Sequence, residues 1–170
     1  MDRIAPLRCL AEECQPKGCG GEHGWYVPYE AVGTVEVRYR AALTFFVADV
    51  ESGNHSYVPF VVDTGTPITI IPRTLVEKEA FKGRPSDIFD VTGISGRIVS
   101  GRRFVADLIL CPRHPECQPL QFSRLKVIVY DPPADERRRS HPALLGLDAL
   151  RQVVTTFDRR GIHFAWQAGA

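Results

Sequence analysis

The run Phe60-Val61-Val62-Asp63-Thr64-Gly65-Thr66 places an aspartate at the end of an apolar strand and follows it with a threonine and a glycine. A carboxylate emerging from a buried strand is costly unless another group compensates it. A second carboxylate facing the first would do so. Two close carboxylates cannot both stay ionised, so they share a proton, and one can act as a base while the other acts as an acid. Asp-Thr-Gly by itself is a short string of common residues, and Asp-x-Gly is also ordinary turn chemistry. The flanking sequence has to decide between a reactive and a structural aspartate.

The flanks read as β structure. Alternation over residues 34–39 suggests a half-buried strand, and residues 42–50 and 56–62 form two further strands around Ser52-Gly53-Asn54, a hairpin turn. Pro67-Ile68-Thr69-Ile70-Ile71-Pro72 reads as a turn and another strand, and 103–111 and 125–130 as two more. Val91-Thr92-Gly93-Ile94-Ser95-Gly96-Arg97 is a glycine-flanked hairpin tip, and Ala143-Leu144-Leu145-Gly146 an apolar strand ending in glycine. Helix signals are few: a short one over 75–81 and a better one over 148–153. Thirteen prolines and fourteen glycines spread along the chain suit many strands and turns.

This order of elements resembles the retropepsin-like aspartic proteases, in their cellular and bacterial form more than their viral one, across residues 42–166. The resemblance implies a mainly β fold: a closed retropepsin-like β-barrel of short strands with one short C-terminal helix. It makes Asp63 the catalytic aspartate, Thr64 the residue that buttresses the partner's loop, and Gly65 a backbone contact to substrate, with Thr66 completing the active-site loop. Gly93, Ile94, Ser95 and Gly96 match the mobile flap that binds substrate. Leu144, Leu145 and Gly146 match the strand and glycine beneath the catalytic loop, followed by a helix over 147–153 and a closing strand over 161–166.

Three positions depart from the viral pattern. Viral members brace their dimer with an acidic residue shortly after the triplet and an arginine after the later glycine; Pro67 and Leu147 stand there in this chain. Thr66 stands where viral members have alanine. A hydroxyl donating to a carboxylate favours its charged form, which implies an acidic activity optimum. Pepsin-like relatives carry two such triplets in two lobes, whereas this chain has one in 170 residues, the size of one domain. Activity then requires a symmetric homodimer with one Asp63 from each subunit. The implied function is an aspartic endopeptidase acting on protein or peptide substrates. The alternative is an inactive retropepsin-like module for dimerisation or peptide binding. Ile68, Ile70, Ile94 and Ile98 would line pockets that prefer hydrophobic residues beside the cut.

A net charge of +1 gives no reason to expect attraction to nucleic acid or to a membrane surface. No apolar run approaches the length of a membrane span, and no basic-then-apolar start with a cleavage site is visible. The expectation is a cytoplasmic protein, or one whose targeting segment has been removed.

Residues 1–24 read as a Cys-rich leader, either flexible or metal-binding, ahead of a protease domain at 25–170. Cys9, Cys14, Cys19 and His23 offer thiolate and imidazole, the usual ligands of zinc. Their spacings of four, four and three intervening residues match no compact finger. A structural zinc therefore competes with disulfides and with unpaired thiols, while the protease itself needs no cofactor. Five cysteines are an odd number, and a cytosolic chain keeps its thiols reduced. Cys111 and Cys117 bracket a second short loop. The leader is also a candidate pro-segment.

The remaining polar residues have plainer readings. Asp148 invites assignment as a second acid but stands where a helix would begin, where capping is the ordinary role. The histidines have no serine or cysteine partner at a recognisable spacing and form no triad. Arg137, Arg138 and Arg139 read as a solvated loop face.

Overall fold

The computed structural model describes residues 25–32, 38–82, 88–92, 98–110, 119–133 and 141–166. Cys9, Cys14, Cys19 and His23, the leader as a whole, the hairpin tip Gly93, Ile94, Ser95 and Gly96, Cys111, Cys117 and the arginine run lie outside them. The described chain is mainly β. In order it runs β1 (Trp25–Pro28), β2 (Glu30–Val32), β3 (Arg38–Arg40), β4 (Ala42–Asp49), β5 (His55–Val62), β6 (Ile70–Pro72), β7 (Ile88–Thr92), β8 (Ile98–Leu110), β9 (Leu120–Tyr130), β10 (Ala143–Leu145), α1 (Leu147–Leu150), β11 (Val153–Phe157) and β12 (Gly161–Trp166).

Alternation builds the first hairpin. Ser56, Val58 and Phe60 turn inward from β5 while His55, Tyr57 and Pro59 stay exposed, and Leu43, Phe45 and Val47 do the same on β4. Gly53 adopts φ +74 in the connecting turn, a conformation that glycine reaches without strain. Pro59 lacks an N–H, but β10 pairs with β5 only from Phe60 onward, so no ladder bond is lost on that side. Inside, Phe45 meets Phe60 edge-to-face at 5.6 Å and Phe122 at 5.9 Å. Each of these fully buried rings contributes roughly 1.5–3 kcal/mol relative to exposure.

The large sheet has the order β4-β5-β10-β6-β9-β8-β7, and a further pairing of β4 with β8 closes six of these strands into a barrel. β8 makes the closure possible. Its first half pairs with β7 and its second half with β4, while β9 runs along its other side. A register shift between Ala106 and Leu108 bends it at the changeover. There Arg124, at φ +52, donates its backbone N–H to Asp107 Oδ1 at 2.6 Å. The expected barrel is thus present, although thirteen-residue β8 and eleven-residue β9 are longer than short strands. A separate sheet, β1-β12-β11, joins the two ends of the described chain.

Two helix expectations are corrected. The helix expected over 147–153 stops at Leu150, and the β-branched run from Val153 continues as strand. The helix expected over 75–81 is replaced by a single 3-10 turn at Arg73–Leu75 and a turn beyond it. Side chains supply the partners there: Arg73 donates to the carbonyls of Ala80 (2.8 Å) and Phe81 (3.0 Å), and the buried Asp49 accepts the Phe81 N–H at 3.0 Å. The Phe81 N–H is therefore unavailable for a helical bond to Glu77, whose carbonyl accepts the Ala80 N–H at 3.1 Å instead, and Phe81 at φ +58 cannot continue a right-handed helix.

β10 is an inner strand of the large sheet. It lies between β5 and β6, parallel to the first and antiparallel to the second. The connection from β5 to β6, residues 63–69, therefore passes over the end of β10.

Candidate active site

β5 carries Asp63 to this point. The Asp63 backbone N–H donates to Leu145 O at 3.1 Å, which extends the parallel β5–β10 ladder by one step. The chain then turns tightly. Asp63 Oδ1 accepts the Gly65 N–H at 2.8 Å, and Oδ2 accepts the Thr66 hydroxyl at 2.8 Å. A carboxylate can take about four hydrogen bonds, so these two donors orient the group and leave acceptor capacity for a water or a second acid. A Cβ at Gly65 would sit 3.2 Å from Asp63 Oδ1, tighter than most real contacts. Thr64 and Gly65 are exposed, whereas Asp63 and Thr66 are half-buried.

The loop is registered on the segment after β10. Leu147 N–H donates to Thr66 O at 2.9 Å and Asp148 N–H to Pro67 O at 3.2 Å. Gly146 lies directly beneath, with room for no side chain. Thr69, fully buried, donates its N–H (2.9 Å) and hydroxyl (2.7 Å) to Asp148 Oδ1, and its hydroxyl oxygen accepts the Gly146 N–H at 3.2 Å.

Of the residues singled out in the sequence, Asp63, Thr64, Gly65 and Thr66 come together in one loop, with Leu145 and Gly146 below them. The β7–β8 ladder ends at Thr92 opposite Ile98, and Gly93, Ile94, Ser95 and Gly96 lie outside the described residues. Ile68, within the loop, and Ile70, just after it, are half-buried. Asp148 is not the helix cap: Gly146 holds that position. The Asp148 carboxylate accepts the Ala149 N–H at 2.9 Å together with its two bonds from Thr69. Its Oδ1 thus serves three structural bonds. Thr69 went unnoticed in the sequence. The available signal was a hydroxyl set between Ile68 and Ile70, because a buried hydroxyl requires a partner.

The family model for aspartyl proteases matches residues 48–149, more than half of the chain and the whole of this loop with its support. The chain belongs to the aspartyl protease family. Among solved structures this family member is similar to a retropepsin-like aspartic protease from Rickettsia conorii, at 14% identity, with 81% of this chain and 96% of that chain covered and a TM-score of 0.41. No curated protein matches it. The family and the closed barrel expected from the sequence both hold.

The described residues contain no group of three or more His, Cys, Asp or Glu side chains that could hold a metal. No described helix is long and apolar enough to cross a membrane. A cavity of about 280 Å³ lies between the β4–β5 turn and the β8–β9 hairpin, lined by Asp49, Glu51, Arg103, Phe104 and Arg124 among others. No residue of the 63–69 loop lines it.

Proposed function

We propose that this chain is an aspartic endopeptidase that works as a homodimer, with one Asp63 carboxylate from each protomer forming the acid pair. The observation that supports the reading is the make-up of the Asp63 loop. It presents an oriented carboxylate beside exposed Thr64 and Gly65, and the one other carboxylate bonded to this loop among the described residues, Asp148, is engaged by Thr69. A single carboxylate can be a base or an acid at one moment, not both. Peptide hydrolysis through activated water needs both.

With two loops face to face, the ionised Asp63 takes a proton from a water as its oxygen attacks the scissile carbonyl carbon. The protonated Asp63 of the other protomer donates to the carbonyl oxygen, so that the developing charge is met by a positioned donor. The tetrahedral intermediate collapses as the Asp63 that took the water proton passes it to the nitrogen, the other Asp63 recovers its proton from a hydroxyl of the gem-diol, and the C–N bond breaks to leave a carboxylic acid and an amine, with no covalent bond to the enzyme. Gly65 leaves room for an extended substrate strand to approach its backbone. The β7–β8 hairpin is the element suited to close over that strand and exclude bulk water.

The test is digestion of a diverse peptide mixture between about pH 4 and pH 7, a span in which paired carboxylates exchange a shared proton, read by mass spectrometry beside identically prepared Asp63→Asn protein. Cleavage by the parent alone, mostly next to hydrophobic residues, is the expected result. Folded, dimeric parent that cuts nothing at any pH would replace the peptidase reading with that of a binding module.

A further inference from the structure

We propose that Thr69 and Asp148 are positioning residues whose clasp sets where the Asp63 carboxylate stands. Thr69 and Asp148 lie far apart in sequence, and their bonds tie the β5–β6 connection to the first turn of α1. The Thr69 hydroxyl is the centre of a short relay: the Gly146 N–H donates to it at 3.2 Å, and it donates to Asp148 Oδ1 at 2.7 Å. The Thr69 N–H reaches the same carboxylate oxygen at 2.9 Å. On its other side, Thr69 O accepts the Ile128 N–H at 2.9 Å, which anchors the clasp to β9 and hence to the barrel wall.

The relay leads directly to the reacting group. Gly146 follows Leu145, whose carbonyl accepts the Asp63 N–H, and precedes Leu147, whose N–H donates to Thr66 O. Both ends of the Asp63 turn are therefore fixed on residues 145–147, and Thr69 and Asp148 fix those residues in turn. Without the Thr69 hydroxyl the Gly146 N–H loses its partner in a buried position, and a backbone group so orphaned shifts to find another. In a two-protomer site the displacement is repeated in both loops.

The kinetic part of this inference rests on the peptidase reading; the structural part does not. The experiment uses the full chain and four variants. Thr69→Val and Asp148→Ala remove the clasp, while Thr69→Ser and Asp148→Asn keep the hydroxyl and the accepting oxygen. Because a misplacement of about 1 Å can cost on the order of 100-fold in rate, the two removing variants are expected to lose roughly 10- to 100-fold in kcat with KM within about threefold of the parent. The two conservative variants should stay within about threefold of the parent on both constants. Amide hydrogen exchange followed by NMR is the activity-independent arm. In Thr69→Val the amides of Asp63 and Leu147 should exchange faster, while that of Val58 on β5 keeps its protection.

Parental kcat in Thr69→Val and Asp148→Ala, or conservative variants as impaired as the removing ones, would overturn the proposal. If the parent itself shows no turnover, the peptidase reading fails and exchange alone decides the clasp. Unchanged exchange at Asp63 and Leu147 would then reject it.

Discussion

A Cβ built on Gly146 would lie 2.6 Å from the carbonyl carbon of Ile68, closer than such atoms come in real structures. It would also meet Ile68 O at 2.8 Å and Thr66 O at 2.9 Å, so all three obstacles are backbone of the Asp63 loop. The restriction is one of space, not of dihedral angle, because Gly146 has φ −86. Gly146→Ala must push the loop off β10 or break its bonds to residues 145–148. The expected loss is about 1–3 kcal/mol of stability, the range for overpacking a well-filled site, measured by urea unfolding, together with loss of peptidase activity. A variant as stable and as active as the parent would show that the loop can lift without consequence.

The turn between β11 and β12 carries an acid-dependent contribution. Asp158 Oδ1 accepts the Arg160 N–H at 2.6 Å and the Gly161 N–H at 2.8 Å. The Arg160 backbone bond is the leading cause that holds this carboxyl below its ordinary 3.8; the Gly161 bond and the nearby His163 and Arg160 charges add to it, against a smaller opposing effect of desolvation. A carboxyl depressed by folding stabilises the fold at pH values above its unfolded value and loses that contribution as pH falls through its folded value. Asp158→Asn removes the charge at constant shape. The melting temperature of the parent should exceed that of the variant at about pH 6, and the gap should narrow at about pH 2. A gap independent of pH would place the turn's stability elsewhere.

The sequence made the local parts of this molecule legible and left the distant ones dark. The strands that became β4 and β5 and the Ser52-Gly53-Asn54 turn between them were legible, because those signals act between near neighbours. The apolar strand ending in Asp63 and the later Leu-Leu-Gly were readable for the same reason. The pairing that closes the barrel was not, since β8 reaches β4 across a bend set by the Ala106–Leu108 register shift. The 75–81 stretch was misread because the side chains of Ser56 and Asp49 take the N–H groups of Glu77 and Phe81, contacts from distant residues that helix propensity does not see. The Thr69–Asp148 clasp joins residues 79 apart, and no local pattern announces a contact at that range.

Asp49 should prove one of the more sensitive stability positions. Its carboxylate is 1% exposed and accepts the Glu51 N–H, the Ser52 hydroxyl at 2.6 Å and the Phe81 N–H, tying the β4–β5 turn to the loop after β6. Phe81 is held there at φ +58, a left-handed conformation that costs a non-glycine residue about 1–2 kcal/mol. Its ring repays the constraint by packing against Phe104 at 5.5 Å. Asp49→Ala strands the buried Phe81 N–H, and the expected cost is about 1–3 kcal/mol for that group alone. Urea unfolding should show the loss, and a change under about 0.5 kcal/mol would mean that water or another group replaces the carboxylate.

The proposed two-protomer site makes a prediction that a one-protomer site does not. If each active dimer needs two intact Asp63 carboxylates, a chain carrying Asp63→Asn is more than an inert diluent, because it captures a parental chain in a mixed dimer with one competent acid. After subunits exchange, a roughly ninefold excess of the variant should leave about a tenth of parental chains paired with their own kind, and activity per parental chain should fall to about that fraction. The same excess of an unrelated folded protein should leave activity unchanged. Dilution of the parent alone should lower specific activity once the concentration drops below the dimer dissociation constant. Activity that survives excess Asp63→Asn protein, in a mixture shown by native mass spectrometry to contain mixed dimers, would establish that one Asp63 suffices and that the second acid is another group.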